Sequence, residues 1–119
     1  MKIRFFNARI LPLDRATPLF TGELIVDGGK IVFLGEKSTN IGPFDREIDC
    51  NGNLLMPGFK NAHTHSGMTF LRSLADDLPL QRWLTEQVFP KEAQLTPEDV
   101  YVRTKLAILE YLTSGITAM

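Results

Sequence analysis

The chain has 119 residues, a formal net charge of −1, and hydrophobic and charged fractions of 44% and 23%, which are ordinary values for a soluble globular chain of about one small domain. No basic block indicates a nucleic-acid binder, and no apolar run approaches the roughly 20 residues that span a bilayer. Because the N-terminus lacks a continuous apolar signal segment and the one cysteine, Cys50, cannot form an internal disulfide, we expect a cytoplasmic protein.

Short apolar runs separated by turn residues dominate residues 1–53. The runs at 22–26 and 30–34 flank Asp27-Gly28-Gly29, which predicts a hairpin because primed turns need the positive φ angles that Asp tolerates and Gly adopts freely. Asn51-Gly52 predicts a further turn. We therefore expect residues 1–53 to form the strands of a small β-sandwich or barrel-like module.

A first helix is predicted after Pro79, a residue that suits the first helical turn because its missing N–H has no intrahelical partner there. Apolar residues then recur at positions i, i+3, i+4 and i+8, which lie on one face of a helix. Pro90 is predicted to end this helix. The apolar positions are Leu80, Trp83, Leu84 and Val88.

A second helix is predicted to begin at Thr96-Pro97-Glu98-Asp99, which supplies an N-cap, a proline at the first helical position and acidic residues near the positive helix end. Gly115 is placed to adopt the left-handed conformation that closes a helix. A strand is expected to begin at Ile116. The predicted apolar stripe consists of Val100, Thr104, Ala107, Ile108, Tyr111 and Leu112.

The two histidines of the chain, His63 and His65, follow the apolar run at 54–56. Residues i and i+2 of a strand point to the same side, so a strand running into this pair would let both imidazoles reach one metal ion. Neutral imidazole binds zinc at Zn–N distances of about 2.0–2.1 Å. The spacing alone leaves open a second interpretation, a pair of surface or hydrogen-bonded histidines at a strand end.

The stretch Leu-Met-Pro-Gly-Phe-Lys-Asn-Ala-His-Thr-His at 55–65 resembles the first metal motif of the amidohydrolase superfamily. Residues 67–80, followed by Trp83-Leu84 and Phe-Pro-Lys-Glu-Ala at 89–93, are similar to the branch that contains S-adenosylhomocysteine and 5′-methylthioadenosine deaminases and the triazine chlorohydrolases. The opening module, with Gly-Glu-Leu-Ile-Val-Asp-Gly-Gly-Lys-Ile at 22–31, also resembles this branch.

This resemblance implies a fold in which residues 1–53 are part of an N-terminal β-sandwich. Residues 54–119 would then be the beginning of a (β/α)₈ barrel, giving a β region followed by an α/β region. The implied activity is zinc-dependent deamination of a purine nucleoside-like heterocycle by a zinc-activated water. His63 and His65 would be two of the zinc ligands, and in this family the other ligands and the proton-shuttling carboxylate lie on later strands.

The resemblance also assigns substrate contacts to Glu92 and Trp83. Glu92 matches the position at which the nucleoside deaminases hold the ribose hydroxyls, and a carboxylate can accept two hydrogen bonds from neighbouring hydroxyls. Trp83 matches a residue expected beside the purine ring. The alternatives are a solvated loop residue for Glu92 and a helix-core residue for Trp83. The Asp76-Asp77 pair is expected to cap the first helix or to place charge in its first turn.

A (β/α)₈ barrel typically needs about 250 residues, so we expect this chain to be an N-terminal piece of the enzyme that is inactive alone. Its expected partners are a small-molecule substrate and either the missing remainder of the enzyme or another copy of itself, with neither nucleic acid nor membrane involved. Two other functions stay open: a chlorohydrolase or a guanine or cytosine deaminase, and a non-catalytic fragment that binds partners. Glu92 favours the nucleoside deaminase, because a bare base has no ribose to hold.

Overall fold

The computed structural model describes residues 1–39 and 41–119. Within them the chain forms two compact units, Met1–Pro57 and Gly58–Met119. No helix in the described residues is both long enough and apolar enough to cross a bilayer.

The first unit is a five-stranded mixed sheet. Its strands are β1 (Lys2–Ile10), β2 (Phe20–Asp27), β3 (Lys30–Gly35), β4 (Arg46–Asp49) and β5 (Leu54–Leu55). Strands β1, β2 and β3 pair antiparallel in the order β3-β2-β1, and β4 and β5 both pair parallel to β1. The predicted hairpin at Asp27-Gly28-Gly29 is confirmed: β2 and β3 are joined by Gly28 and Gly29, whose φ angles are 55° and 80°.

An ionic network stabilises the interior of this sheet. Glu23 is only 7% exposed, and its carboxylate accepts hydrogen bonds from Arg4 Nε at 3.1 Å, Arg4 Nη2 at 2.5 Å and the Ser38 hydroxyl at 2.6 Å. Charge-assisted, bidentate pairs of this kind are the stronger hydrogen bonds in proteins. Arg4 also donates to Glu47 at 2.8 Å, so the network links β1 with both β2 and β4.

The second unit is a strand–helices–strand segment. It consists of β6 (Phe59–Lys60), a 3₁₀ helix (Ser66–Leu71), α1 (Leu80–Arg82), a π-helical turn (Trp83–Val88), α2 (Phe89–Glu92), α3 (Pro97–Thr113) and β7 (Ile116–Ala118). Strands β6 and β7 pair parallel, with Phe59 opposite Ile116. Buried apolar side chains of the 3₁₀ helix, the π-turn and α3 form its small core: Leu71, Val88 and Ala107.

The apolar run at 54–56 does not continue as one strand into the histidines, contrary to the sequence prediction. The structure breaks it after Leu55 into β5, which pairs with β1, and β6, which pairs with β7. Pro57 lacks the N–H that a central strand needs. Gly58 packs so closely on Thr117 that a Cβ at position 58 would overlap that side chain. The first compact unit ends at Pro57.

Pro90 does not end the first helix as predicted, because helical structure continues from Leu80 through Glu92. The intervening turn is π-helical, and the N–H of Phe89 donates to the carbonyl of Leu84, five residues back. Such a turn shifts the hydrogen-bonding register, and Pro90 lies in the first turn of α2, where proline is tolerated.

Helix α3, the second helix predicted from the sequence, has the predicted start and end. Thr96 and Asp99 form a reciprocal capping box at its N-terminus, and Gly115, with φ of 79°, follows its C-terminus. The apolar stripe is only partly covered, since Ala107 is buried but Leu112 is 58% exposed. Other large apolar side chains of α3 are also exposed: Val100, Tyr101, Val102, Leu106, Ile108 and Leu109.

Candidate metal and substrate site

Both histidines lie in the segment that joins β6 to the 3₁₀ helix. Pairing with β7 continues one residue beyond β6, where Asn61 N–H donates to the Ala118 carbonyl at 2.9 Å. The Asn61 side chain then accepts a hydrogen bond from the His63 N–H at 3.2 Å, which bends the backbone as Asn does in Asx turns. His63 and His65 therefore project from the carboxyl end of a parallel strand, and neither is on a helix.

The two imidazoles converge on one point. Their Nε2 atoms are 3.2 Å apart, and the ring centroids are separated by 5.3 Å with the planes inclined at 57°. Two Zn–N bonds of about 2.0–2.1 Å at a tetrahedral angle put the nitrogens about 3.3 Å apart, so the pair fits a shared metal ion. A hydrogen bond between one protonated and one unprotonated Nε2 has a similar length.

The described residues supply no complete metal site. They contain no group of three or more His, Cys, Asp or Glu side chains placed to hold an ion. His63 and His65 are both exposed, so their nitrogens are accessible to an incoming ion. Within the described chain, the donor set is two imidazoles, which suit zinc and related divalent metals.

The two residues that alternate with the histidines, Thr64 and Ser66, both contact Tyr111. The hydroxyl of Tyr111, on the last turn of α3, hydrogen-bonds with Thr64 Oγ1, and with Ser66 Oγ at 3.0 Å. Thr64 and Ser66 are also 3.1 Å from each other. Hydrogen bonding with Ser66, and to a lesser extent with Thr64, lowers the pKa of the Tyr111 phenol below its usual range. The sequence predicts Tyr111 as part of the apolar stripe of α3, and no local signal connects it with Thr64 or Ser66, which are far away in the chain.

A cavity of about 540 Å³ brings together His65, Trp83 and Glu92. Three of the four predicted site residues thus line one space, and the fourth, His63, is in contact with His65. Glu92 is half-buried at the end of α2. The Trp83 indole N–H donates to the Leu74 carbonyl at 3.3 Å, which fixes the ring. The remaining walls are mostly apolar: Met68, Leu71, Leu84, Val88 and Phe89, with Arg72.

Arg72, which lines the cavity, forms an ion pair with Glu110 of α3. Its guanidinium donates two hydrogen bonds to Glu110, Nη1 to Oε1 at 2.6 Å and Nη2 to Oε2 at 2.5 Å. These hydrogen bonds raise the pKa of Arg72 and lower the pKa of Glu110. The bidentate geometry holds the end of the 3₁₀ helix on α3.

Asp76 and Asp77 do not have the predicted role. The N-cap of α1 is Pro79, with no side-chain cap, and the first turn of α1 contains no acidic residue. Both aspartates are exposed in the preceding turn. Leu78 and Pro79 lie between the two aspartates and the first helical residue, Leu80, and neither aspartate is in the cap or the first turn of α1.

Comparison with known proteins gives a consistent set of relatives. The amidohydrolase family model matches residues 54–119. The 5-methylthioadenosine/S-adenosylhomocysteine deaminase of Syntrophomonas wolfei is 45% identical over 118 residues, covering 98% of this chain and 27% of that protein. The protein of the same name from Desulforamulus reducens is 48% identical over 114 residues, covering 93% and 26%.

A differently named relative is the 5′-deoxyadenosine deaminase of Methanococcoides burtonii. It is 44% identical over 113 residues, covering 94% of this chain and 26% of that protein. The chain therefore spans about a quarter of the length of the relatives that it matches.

Proposed function

This chain belongs to the amidohydrolase family, and from that premise we propose that the whole protein is a metal-dependent deaminase of adenosine-type nucleosides. S-adenosylhomocysteine and 5′-methylthioadenosine are the proposed substrates, since relatives covering nearly all of this chain are named for them. The observation that carries the proposal is the single cavity lined by His65, Trp83 and Glu92. It holds a metal-type donor, an aromatic face and a carboxylate in one space.

His63 and His65 would hold the divalent metal, proposed to be zinc because neutral imidazole suits it. When bound, such an ion would supply the Lewis acidity that makes water a nucleophile at neutral pH. The 3.2 Å separation of the two Nε2 atoms supports this assignment. Within the described residues no third His, Cys, Asp or Glu joins the pair, so further ligands and a general acid/base would come from the rest of the whole protein.

The other cavity residues would bind and orient the nucleoside. The half-buried Glu92 carboxylate would accept hydrogen bonds from the two ribose hydroxyls. Trp83 would present an aromatic face to the purine, and the apolar walls would exclude water from the ring. Anchoring the sugar at Glu92 would turn the amino-bearing edge of the base toward the side of the cavity formed by His65. Correct orientation of this kind lowers the entropic part of the reaction barrier.

We propose that residues 54–119 begin a (β/α)₈ barrel and that residues 1–53 are part of a β-sandwich. The parallel pairing of β6 and β7 across an intervening helical connection supports the first assignment, because such connections build barrels. The histidines follow the carboxyl end of β6, where barrel enzymes place their active sites. The mixed five-stranded sheet supports the second assignment.

The proposed function is tested by replacing Glu92 with Gln in the whole protein. Hydrogen bonds to charged groups contribute about 1.5–3 kcal/mol, so kcat/KM for S-adenosylhomocysteine should fall roughly 10- to 100-fold while zinc content is unchanged. Activity on free adenine, which has no ribose, should not change by this factor. Glu98→Gln is the matched control, since Glu98 is exposed on α3 and does not line the cavity.

Two results would overturn the proposal. Unchanged nucleoside kinetics in Glu92→Gln would remove Glu92 from the site and favour a bare-base deaminase or a chlorohydrolase. Equal losses for the nucleoside and for free adenine would show that Glu92 acts on the ring or on the fold instead of the ribose.

A further inference from the structure

We propose that Tyr111 is a positioning residue for the metal ligands, acting through the backbone of the His63–His65 segment. The inference rests on the proposed function, since it concerns how the two histidines are held to receive a metal ion. The hydroxyl of Tyr111 makes no hydrogen bond to either imidazole. It instead binds the two hydroxyl side chains that alternate with them, Thr64 and Ser66.

The imidazoles and the hydroxyls alternate along residues 63–66 and make two separate contacts. His63 and His65 bring their Nε2 atoms to 3.2 Å. Thr64 and Ser66 both reach the same phenol oxygen. One hydroxyl therefore holds Thr64, which lies between the two histidines, and Ser66, which directly follows His65.

Tyr111 is itself held in place relative to β6. Gly115 ends the turn after α3, and its carbonyl accepts a hydrogen bond from Phe59 N–H at 2.9 Å, where β7 begins to pair with β6. One residue earlier in α3, Glu110 binds Arg72 at the far end of the 3₁₀ helix. Tyr111 and Glu110, adjacent residues of α3, thus hold the two ends of the segment that runs from the histidines to Arg72.

The function of the hydroxyl is separable from that of the ring. Tyr111 lines a small cavity together with Ile108, Leu112 and Ile116, and phenylalanine would keep an aromatic ring in that wall. Both histidines are exposed, so little packing restricts them. Ordering loose ligands costs conformational entropy that metal binding must offset. Loss of the hydroxyl should therefore weaken metal binding while leaving the fold intact.

The experiment measures zinc dissociation constants of the whole protein by competition with a chelator. Tyr111→Phe should weaken zinc binding about 10-fold, the lower end of what outer contacts of metal ligands contribute, and kcat should return to that of the unsubstituted protein at saturating zinc. Tyr101→Phe is the matched control, because Tyr101 is exposed on the same helix beside Lys105, and it should bind zinc normally.

The opposite side of the contact provides a second variant. The double substitution Thr64→Val with Ser66→Ala keeps the Tyr111 ring and hydroxyl, and it should weaken zinc binding by the same factor. Adding Tyr111→Phe to it should cause no further loss, since interacting residues are non-additive. This arm tests the inference even where one variant is poorly folded.

The outcomes separate the two proposals. Zinc binding in the unsubstituted protein with unchanged affinity in Tyr111→Phe would overturn this inference and leave the proposed function standing. Equal, additive losses from the two sets of substitutions would also overturn it. Failure of the unsubstituted protein to bind any divalent metal would overturn both.

Discussion

His63 and His65 bring their Nε2 atoms to within 3.2 Å of each other. The segment that carries them follows β6, which is held by its parallel pairing with β7. This contact distance is close to the one that two imidazoles adopt on a tetrahedral metal ion. The imidazole pair that follows β6 therefore has the spacing that a shared metal ion would require.

Substitutions of Trp83 should distinguish a side chain that binds the purine from one that only packs in the helix core. In the whole protein, Trp83→Leu should raise KM for S-adenosylhomocysteine roughly tenfold or more, because an aromatic face stacked on a base contributes about 1–3 kcal/mol. Trp83→Phe keeps the aromatic face but loses the indole hydrogen bond to Leu74. It should lower the free energy of unfolding by about 1 kcal/mol with little change in KM.

Steady-state kinetics and urea unfolding of both variants check this prediction. A Trp83→Leu protein that is destabilised but keeps the original KM would show that Trp83 is a helix-core residue and not a purine contact.

The buried Glu23 carboxylate should make the free energy of unfolding of the first unit depend on pH. The hydrogen bonds from Arg4, followed by those from Ser38, lower the pKa of Glu23 from 4.5 to about 2, against the opposing effect of burial. A carboxyl that binds its proton more weakly when folded contributes stability above its unfolded pKa. That contribution is lost as the pH falls from about 5 toward 2, and it amounts to roughly 3 kcal/mol at most.

Urea unfolding of this chain, followed by far-ultraviolet circular dichroism between pH 7 and pH 2.5, measures the effect. Glu23→Gln should be less stable at pH 7 and should lose much less stability on acidification. Glu36→Gln, which alters an exposed glutamate of the same unit, should retain the acid-dependent loss. An acid dependence that survives unchanged in Glu23→Gln would contradict the assignment.

Local signals were enough to predict several elements of this fold. The α3 start could be predicted because the side chains of Thr96 and Asp99 accept hydrogen bonds from each other's backbone N–H groups, and Pro97 has no N–H to satisfy. The β2–β3 hairpin could be predicted because Gly28 and Gly29 adopt positive φ angles at low cost. Each of these features is decided within a few residues of the chain.

Other features depend on partners that the sequence does not reveal. The break between β5 and β6 is set by which strand each one pairs with. Helix continuation through Pro90 depends on a π-turn that changes the hydrogen-bonding register. The contact of Tyr111 with Thr64 joins residues far apart in the chain. The spacing of His63 and His65 indicates a candidate ligand pair, whereas Trp83 and Glu92 are indicated by the family resemblance alone. The roles of all four as ligands and substrate contacts stay predictions.

His63 and His65 are proposed to share one metal ion. Histidine NMR during a zinc titration tests this proposal most directly. The chain contains only two histidines, so its imidazole spectrum should contain two ring systems. We expect both rings to shift along one binding curve and to adopt the Nδ1–H tautomer, with Nε2 bound to zinc. Binding should be weak, since catalytic zinc sites usually have three protein ligands. A response from one ring alone, or separate binding curves for the two rings, would contradict the claim.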